Sequence, residues 1–210
     1  MSTALRIKPA PRRTQEERRE GTIRKLLDAA TETLIEAGYA EASVQAICDR
    51  AGVSQGALFR HFPSREALMV AVGEDVGART LERYRKEFDA LGGTSEPLVL
   101  AMRLVRTHCR SRLNLAWYEL ASAARTHPTL RKALEPVAAR YHADIEALAR
   151  DLLPGLAAQL GDRFTVLVDT IVAVFDGEVV HRFLLKRPRL DEARLELLAG
   201  LAALVVDAEG

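Results

Sequence analysis

The chain has 210 residues, 48% of them hydrophobic and 28% charged, which is enough for one large core or for a small unit beside a larger one. A net charge of +1 excludes a generic polyanion binder, and an aromatic share of 5% without sustained strand alternation leaves an all-α fold as the expected class. The charge is unevenly placed: residues 1–25 carry eight basic side chains against three carboxylates, a local +5, which suits a protein that meets DNA with one end.

Residues 1–13, MSTALRIKPAPRR, hold two prolines and little periodicity and are expected to form a disordered basic arm. Arg12 and Arg13 are candidates for a minor groove, with a solvated tail as the alternative. Ile23, Leu26, Leu27, Ala30, Leu34 and Ala37 then follow helical spacing up to Gly38. Thr22, near the start of that helix, is a candidate phosphate contact.

Ser43 is a good N-cap for a short helix of about Ser43 to Arg50, with Val44, Ile47, Cys48 and Ala51 at helical spacing. Gly52 supplies the tight turn, Val53 fills the angle and Ser54 caps a second helix from about Gln55 to His61. That second helix opens on Gln55, Gly56 and Ala57, a polar side chain followed by two residues small enough to let the backbone approach a base edge. Two short crossed helices with a glycine turn fit a helix-turn-helix whose second helix enters the major groove, with an ordinary helical hairpin as the alternative. Residues 14–63 are thus the expected DNA-binding unit.

Pro63 and Ser64 stop one helix and cap the next, expected to run to about Leu91, with Glu66 in its first turn. Ser64 and Arg65 stand where helix N-terminal amides and a guanidinium hold a phosphate. Gly73 and Gly77 are positions at which this helix could loosen. Residues 64–210 form the expected helical body. Beyond Gly92-Gly93, five helices are predicted, roughly Glu96 to Ser111, Leu113 to Thr126, Thr129 to Leu153, Asp162 to Leu185 and Asp191 to Asp207. The breaks fall at His127-Pro128, Pro154-Gly155 and Arg187-Pro188.

Residues 22–69, TIRKLLDAATETLIEAGYAEASVQAICDRAGVSQGALFRHFPSREALM, resemble the DNA-binding head of the tetracycline-repressor (TetR) family. The succession of amphipathic helix, G-Y turn, helix-turn-helix, aromatic F-R-H-F and S-x-E-x-L carries the resemblance. Three positions depart from it: Cys48 for a usual Ala, Phe59 for a frequent Tyr and Arg65 for a frequent Lys. Phe59 lacks a hydroxyl that could reach a phosphate. The resemblance implies that Gln55 reads a base edge, that Ser43, Ser54, His61 and Arg65 hold phosphates, and that Phe59 and Arg60 lie at the same surface.

For the body, the resemblance implies a lever in the fourth helix, a small-molecule pocket and a four-helix dimer interface. Candidate pocket residues are His108, Cys109, Arg112, Trp117, Tyr118, Tyr141, His142 and Phe175, suiting a largely hydrophobic ligand that is aromatic or acidic. Two apolar stripes are candidates for the dimer interface: Phe164, Leu167, Val168, Ile171, Phe175 and Val179 on one helix, and Leu197, Leu198, Leu201 and Val205 on the next. A two-fold dimer also follows from DNA logic, because paired recognition helices read a palindrome with half-sites about 34–36 Å apart.

The expected function is a homodimeric transcriptional repressor that binds a palindromic operator and is released by a small molecule. A regulator controlled by a protein partner and an all-α small-molecule binding protein are the alternatives. No enzyme motif, cofactor loop or metal-ligand set is found, and adjacent His108 and Cys109 point about 100° apart on a helix, too far to act as a nucleophile–base pair. Two distant cysteines, no apolar leader and charges that interrupt the apolar stretch 164–185 give a cytoplasmic protein without membrane contact as the expectation.

Overall fold

In the computed structural model, residues 14–91 and 96–207 are described. Among them ten helices form: α1 (Gln15–Glu41), α2 (Val44–Ala51), α3 (Gln55–His61), α4 (Arg65–Ala90), α5 (Pro97–Cys109), α6 (Arg112–Ala124), α7 (Pro128–Leu152), α8 (Pro154–Leu160), α9 (Arg163–Arg182) and α10 (Pro188–Asp207). Arg12, Arg13 and the side chain of Val205 lie outside the described residues.

Local chemistry sets the boundaries. Thr14 starts α1 with a reciprocal capping box: its Oγ1 accepts from the Glu17 amide at 3.1 Å, and the Glu17 carboxylate accepts from the Thr14 amide at 2.7 Å. Gly38, at φ 80°, breaks α1 before its last residues. Ser43, Ser54 and Ser64 cap α2, α3 and α4, each hydroxyl accepting from the amide three residues on at 3.1–3.2 Å. Gly52, at φ 66°, closes α2 in the left-handed conformation that a Cβ disfavours.

The body forms one helix more than expected. Pro154 ends α7 but also stands at the first position of α8, where its missing N–H and fixed φ are no handicap. Ala157 and Leu160 of that short helix bury against Leu153 and Phe164. Pro188 likewise begins α10 three residues ahead of the expected Asp191, whose amide already bonds back to the Arg187 carbonyl at 2.9 Å.

A single core runs through the N-terminal helices and into the body. Leu26 and Leu34 of α1, Ile47 of α2, Leu58 of α3 and Leu68, Met69 and Val72 of α4 pack with Leu113, Ala116 and Leu120 of α6 and Leu130 and Leu134 of α7. Each such fully buried large side chain favours the folded state by about 1.5–3 kcal/mol, so the head is anchored on α4 and α6 together. Gly73 and Gly77 serve this contact: a Cβ on Gly73 would lie 3.4 Å from Trp117 and one on Gly77 would lie 3.0 Å from the Tyr141 ring. At both positions α4 packs closely against α6 or α7 side chains.

The α5, α9 and α10 helices are joined by a buried ionic cluster that periodicity does not reveal. Glu178 of α9 meets Arg106 at 3.3 Å, Arg194 at 3.2 Å and Arg110, while Asp191 of α10 meets Arg110 at 3.1 Å and Arg182 at 2.9 Å. Arg106 reaches Glu192 at 2.9 Å as well. Glu178 and Asp191 are buried, so the arginines are required to offset their desolvation.

Candidate nucleic-acid interface and body cavity

The two short helices present one polar face. Gln55 and Gly56 at the start of α3 are exposed and Ala57 is half-buried, while Leu58 turns into the core and fixes the helix in rotation. Gln45 of α2, which the sequence does not single out, accepts through Oε1 from Gln55 Nε2 and donates through Nε2 to Asp49 at 2.7 Å, extending the polar surface across both helices. Arg60 is exposed, His61 half-buried, and Phe59 is 47% exposed beside them. Ser43 and Ser54 use hydroxyl lone pairs as caps and keep O–H groups to donate outward.

Thr22 and Arg65 are placed differently from the rest. Thr22 donates to the Arg18 carbonyl at 2.8 Å, back into its own helix. Arg65 donates through Nε to the Ala42 carbonyl at 2.8 Å and through Nη2 to the Tyr39 carbonyl, with its guanidinium 4.0 Å over the Tyr39 ring. Its charge locks the end of α1 to the start of α4 through two backbone carbonyls beyond the Gly38 break.

In the body, α4, α5, α6, α7 and α9 enclose a cavity of about 100 Å³. Trp117, Tyr141, His108, Cys109 and His142 line it together with Thr80, Leu81, Tyr84, Met102, Asn114, Phe164 and Asp176. Tyr118 stands immediately behind the lining, donating to Asp176 at 2.5 Å and accepting from Asn114 at 3.0 Å. Burial pushes the Tyr84, Tyr118 and Tyr141 phenols and the Cys109 thiol well up, so all four are neutral donors, and the nearby Asp176 charge raises Tyr118, Tyr141 and Cys109 further. Burial likewise lowers His108, against the opposing pull of Glu87 at 3.1 Å.

Two expected pocket residues are corrected. Arg112 is exposed at the start of α6 and pairs with Glu32 and Glu36 of α1, the latter at 3.1 Å, because its turn of the helix faces α1 and not the cavity. Phe175 is fully buried with Met102, Val179 and Leu195, on the side of α9 turned toward α5 and α10. With Arg112 outside, none of the described lining residues is Arg or Lys. Asp176, Asn114, Tyr84 and Thr80 are polar lining residues that the sequence leaves unmarked.

The dimer stripes are corrected too. Phe164, Ile171, Phe175 and Val179 are buried within one chain, and Leu167 and Val168 are half-buried at the cavity wall. The opposite side of α9 is the open one: Val166, Thr170, Ala173 and Val180 are exposed at helical spacing, followed by Phe183 and Leu184. On α10, Leu197 and Leu201 are exposed as expected, with Leu204 beside them, and Leu198 is half-buried. A surface groove of about 440 Å³ lies between the two helices, lined by Val166, Thr170, Leu198 and Leu201.

Residues 26–72 match the family model described as bacterial regulatory proteins, tetR family. The HTH-type transcriptional regulator Rv2912c of Mycobacterium tuberculosis is 40% identical over 189 residues, covering 90% of this chain and 96% of that protein. The chain belongs to the TetR family. It is therefore a helix-turn-helix transcriptional regulator, not an enzyme, and the similarity extends through the body as well as the head. By contrast, the regulator UidR of Escherichia coli K12 is 37% identical over 70 residues, 33% of this TetR-family chain and 36% of that protein. Among solved structures, the multidrug binding protein EbrR, complexed with imidazole, matches with a TM-score of 0.64 at 27% identity, over 85% of this chain and 93% of that one. The fatty acid degradation regulator FadR of Bacillus halodurans shares the fold, with a TM-score of 0.60 at 19% identity over 84% and 97% of the two chains. No described helix is long and apolar enough to cross a membrane, and no described group of His, Cys, Asp or Glu is arranged to hold a metal.

Proposed function

We propose that this TetR-family regulator is a cytoplasmic homodimeric repressor, with residues 14–63 as the DNA-binding head and residues 64–210 as the effector-binding and dimerisation body. Gln55 contacts a base edge, Gly56 and Ala57 allow close approach, and Ser43, Ser54, Arg60 and His61 face the phosphates. Two copies associate through the exposed faces of α9 and α10 and read a palindromic operator.

One observation carries the regulatory reading: α4 belongs to both sites. Leu68, Met69, Val72 and Val76 sit in the head core, while Thr80, Leu81 and Tyr84 of the same helix wall the cavity. At about 1.5 Å per residue, this 26-residue helix is a rod of roughly 39 Å. The cavity, about 100 Å³, is well below the roughly 300–1,000 Å³ of typical small-molecule sites. A ligand of ordinary size must therefore move the walls apart, and displacement of α4 shifts the head it carries. Substantial release from DNA requires the ligand to favour the displaced state by a few kcal/mol. The similarity to EbrR, described as a multidrug binding protein, supports a small-molecule site in this chain.

Selection of bound duplexes from a random pool at near-physiological salt tests the reading. The expected result is enrichment of a palindrome, bound by two chains, for which Gln55→Ala weakens preference over bulk DNA by about 1–3 kcal/mol. Enrichment of no sequence would refute specific operator binding, and unchanged preference in the variant would refute the Gln55 contact.

A further inference from the structure

The cavity has an unusual balance of polar atoms for a site expected to take an aromatic or acidic ligand. Its walls are largely apolar and aromatic, with Tyr84, Trp117, Tyr141 and Phe164 around it. Into this lining project a carboxylate, Asp176, and a carboxamide, Asn114, linked through the Tyr118 hydroxyl. The direction of those bonds fixes what each group has left. Tyr118 donates its proton to Asp176 Oδ1 at 2.5 Å, so its oxygen must accept from Asn114 Nδ2, at 3.0 Å. Asn114 Oδ1 is then the carboxamide atom left without a partner. Asn114 is 4% exposed, and this oxygen is buried with no hydrogen-bond partner. A buried acceptor left without a donor is destabilising, so its presence in a residue of the cavity wall favours a ligand that donates.

The surrounding groups sharpen the requirement. The described lining contains no Arg or Lys to pair with Asp176 or to receive an anion. His108, turned to Glu87 and with its pKa lowered by burial, is not a cation at neutral pH. His142, which also borders the cavity, is exposed. The π-face of an aromatic ring is negative, so a lining of this composition suits a cation better than an anion.

We infer that the cavity is built for a protonated amine or amidinium carrying a compact apolar or aromatic group, its N–H donors shared between the Asp176 carboxylate and Asn114 Oδ1. The inference rests on the reading of this cavity as the effector site and gives its ligand a chemical class. An acidic effector is disfavoured twice, by the carboxylate and by the orphaned acceptor.

Three probes of matched size test it: benzylamine, protonated at neutral pH; ethylbenzene, its neutral near-isostere; and benzoate. Met102 lines the cavity and is one of three methionines, so its labelled methyl resonance reports occupancy directly. Benzylamine is expected to saturate this signal and to bind at least about ten-fold more tightly than benzoate, with Asp176→Asn and Asn114→Leu each weakening benzylamine by about ten-fold or more. Ethylbenzene binding should be unchanged in both variants, which also shows that their cavities remain folded. Benzoate binding equal to or tighter than benzylamine, or benzylamine affinity unaffected by Asp176→Asn, would overturn the amine assignment while leaving the cavity as a ligand site. Failure of all three probes to move the Met102 signal would overturn the effector-site reading and this inference with it.

Discussion

Glu178 offers a direct test of what holds the body together. Its side chain is 2% exposed and faces Arg106, Arg110 and Arg194, so Glu178→Gln keeps the shape while removing the negative charge that three cations share. Breaking a buried ion pair by neutralising one partner costs about 3–5 kcal/mol. The lower end applies here. Arg110 and Arg194 retain Asp191 at 3.1 and 3.4 Å, and Arg106 retains Glu192 at 2.9 Å, so none is left wholly unpaired. Arg110 and Arg194 are also partly exposed, which lets water screen them. A loss of about 3 kcal/mol corresponds to a fall in Tm of about 6–12 °C for a chain of this size. Thermal unfolding followed by circular dichroism at two protein concentrations separates this from any change in dimerisation, which would depend on concentration. If the pairing is real, the Glu178→Gln/Arg106→Gln double variant should lose less than the two single variants together. A fall of less than about 3 °C, or strict additivity in the double variant, would refute the cluster as a stabilising unit.

The close approach of α4 to α7 predicts that Gly77→Ala destabilises by about 1–3 kcal/mol despite the better helix propensity of alanine, because the new Cβ meets the Tyr141 ring at 3.0 Å. Gly21→Ala, in α1 with nothing within 4 Å, should instead stabilise by up to about 1 kcal/mol; urea unfolding of both reads the contrast. His108 has a folded pKa below its unfolded value of about 6.5, so folding favours its neutral form. Its contribution is therefore fully present above pH about 6.5 and is lost as pH falls through that value toward the folded pKa, and His108→Gln should flatten this part of the stability–pH curve measured by urea titration. Finally, Leu197→Glu or Leu201→Glu on the open face of α10 should convert a dimer to a monomer in sedimentation velocity, whereas a dimer that persists in both would move the interface elsewhere.

The head was legible because its determinants are local. Ser43, Gly52, Ser54 and Ser64 each act within a turn of their own position, so the caps and the left-handed residue can be placed from sequence, and all four occur as expected. The same logic extends to Thr14 and Glu17, whose T-x-x-E spacing is a capping-box signal that marks the start of α1 without a structure. Arg65 shows the limit of that logic. Its position at a helix N-terminus suggests a phosphate, yet its partners are the carbonyls of Tyr39 and Ala42, 26 and 23 residues away in sequence. In the body, α9 is apolar around most of its circumference, so periodicity finds a stripe but cannot choose between Phe164, Ile171 and Phe175 and the outward Val166 and Val180. The choice is made by α5 and α10 packing onto one side, a tertiary fact. The polar residues of α9 carry the missing information. Asp176 and Glu178 read in sequence as interruptions of an apolar run, but two residues on a helix are roughly 200° apart and cannot share a face. One must turn away from the other. Here Asp176 meets the cavity and Glu178 meets the arginines of α5 and α10, so two carboxylates in an apolar helix mark two polar sites, one at the cavity wall and one filled by the chain's own cations.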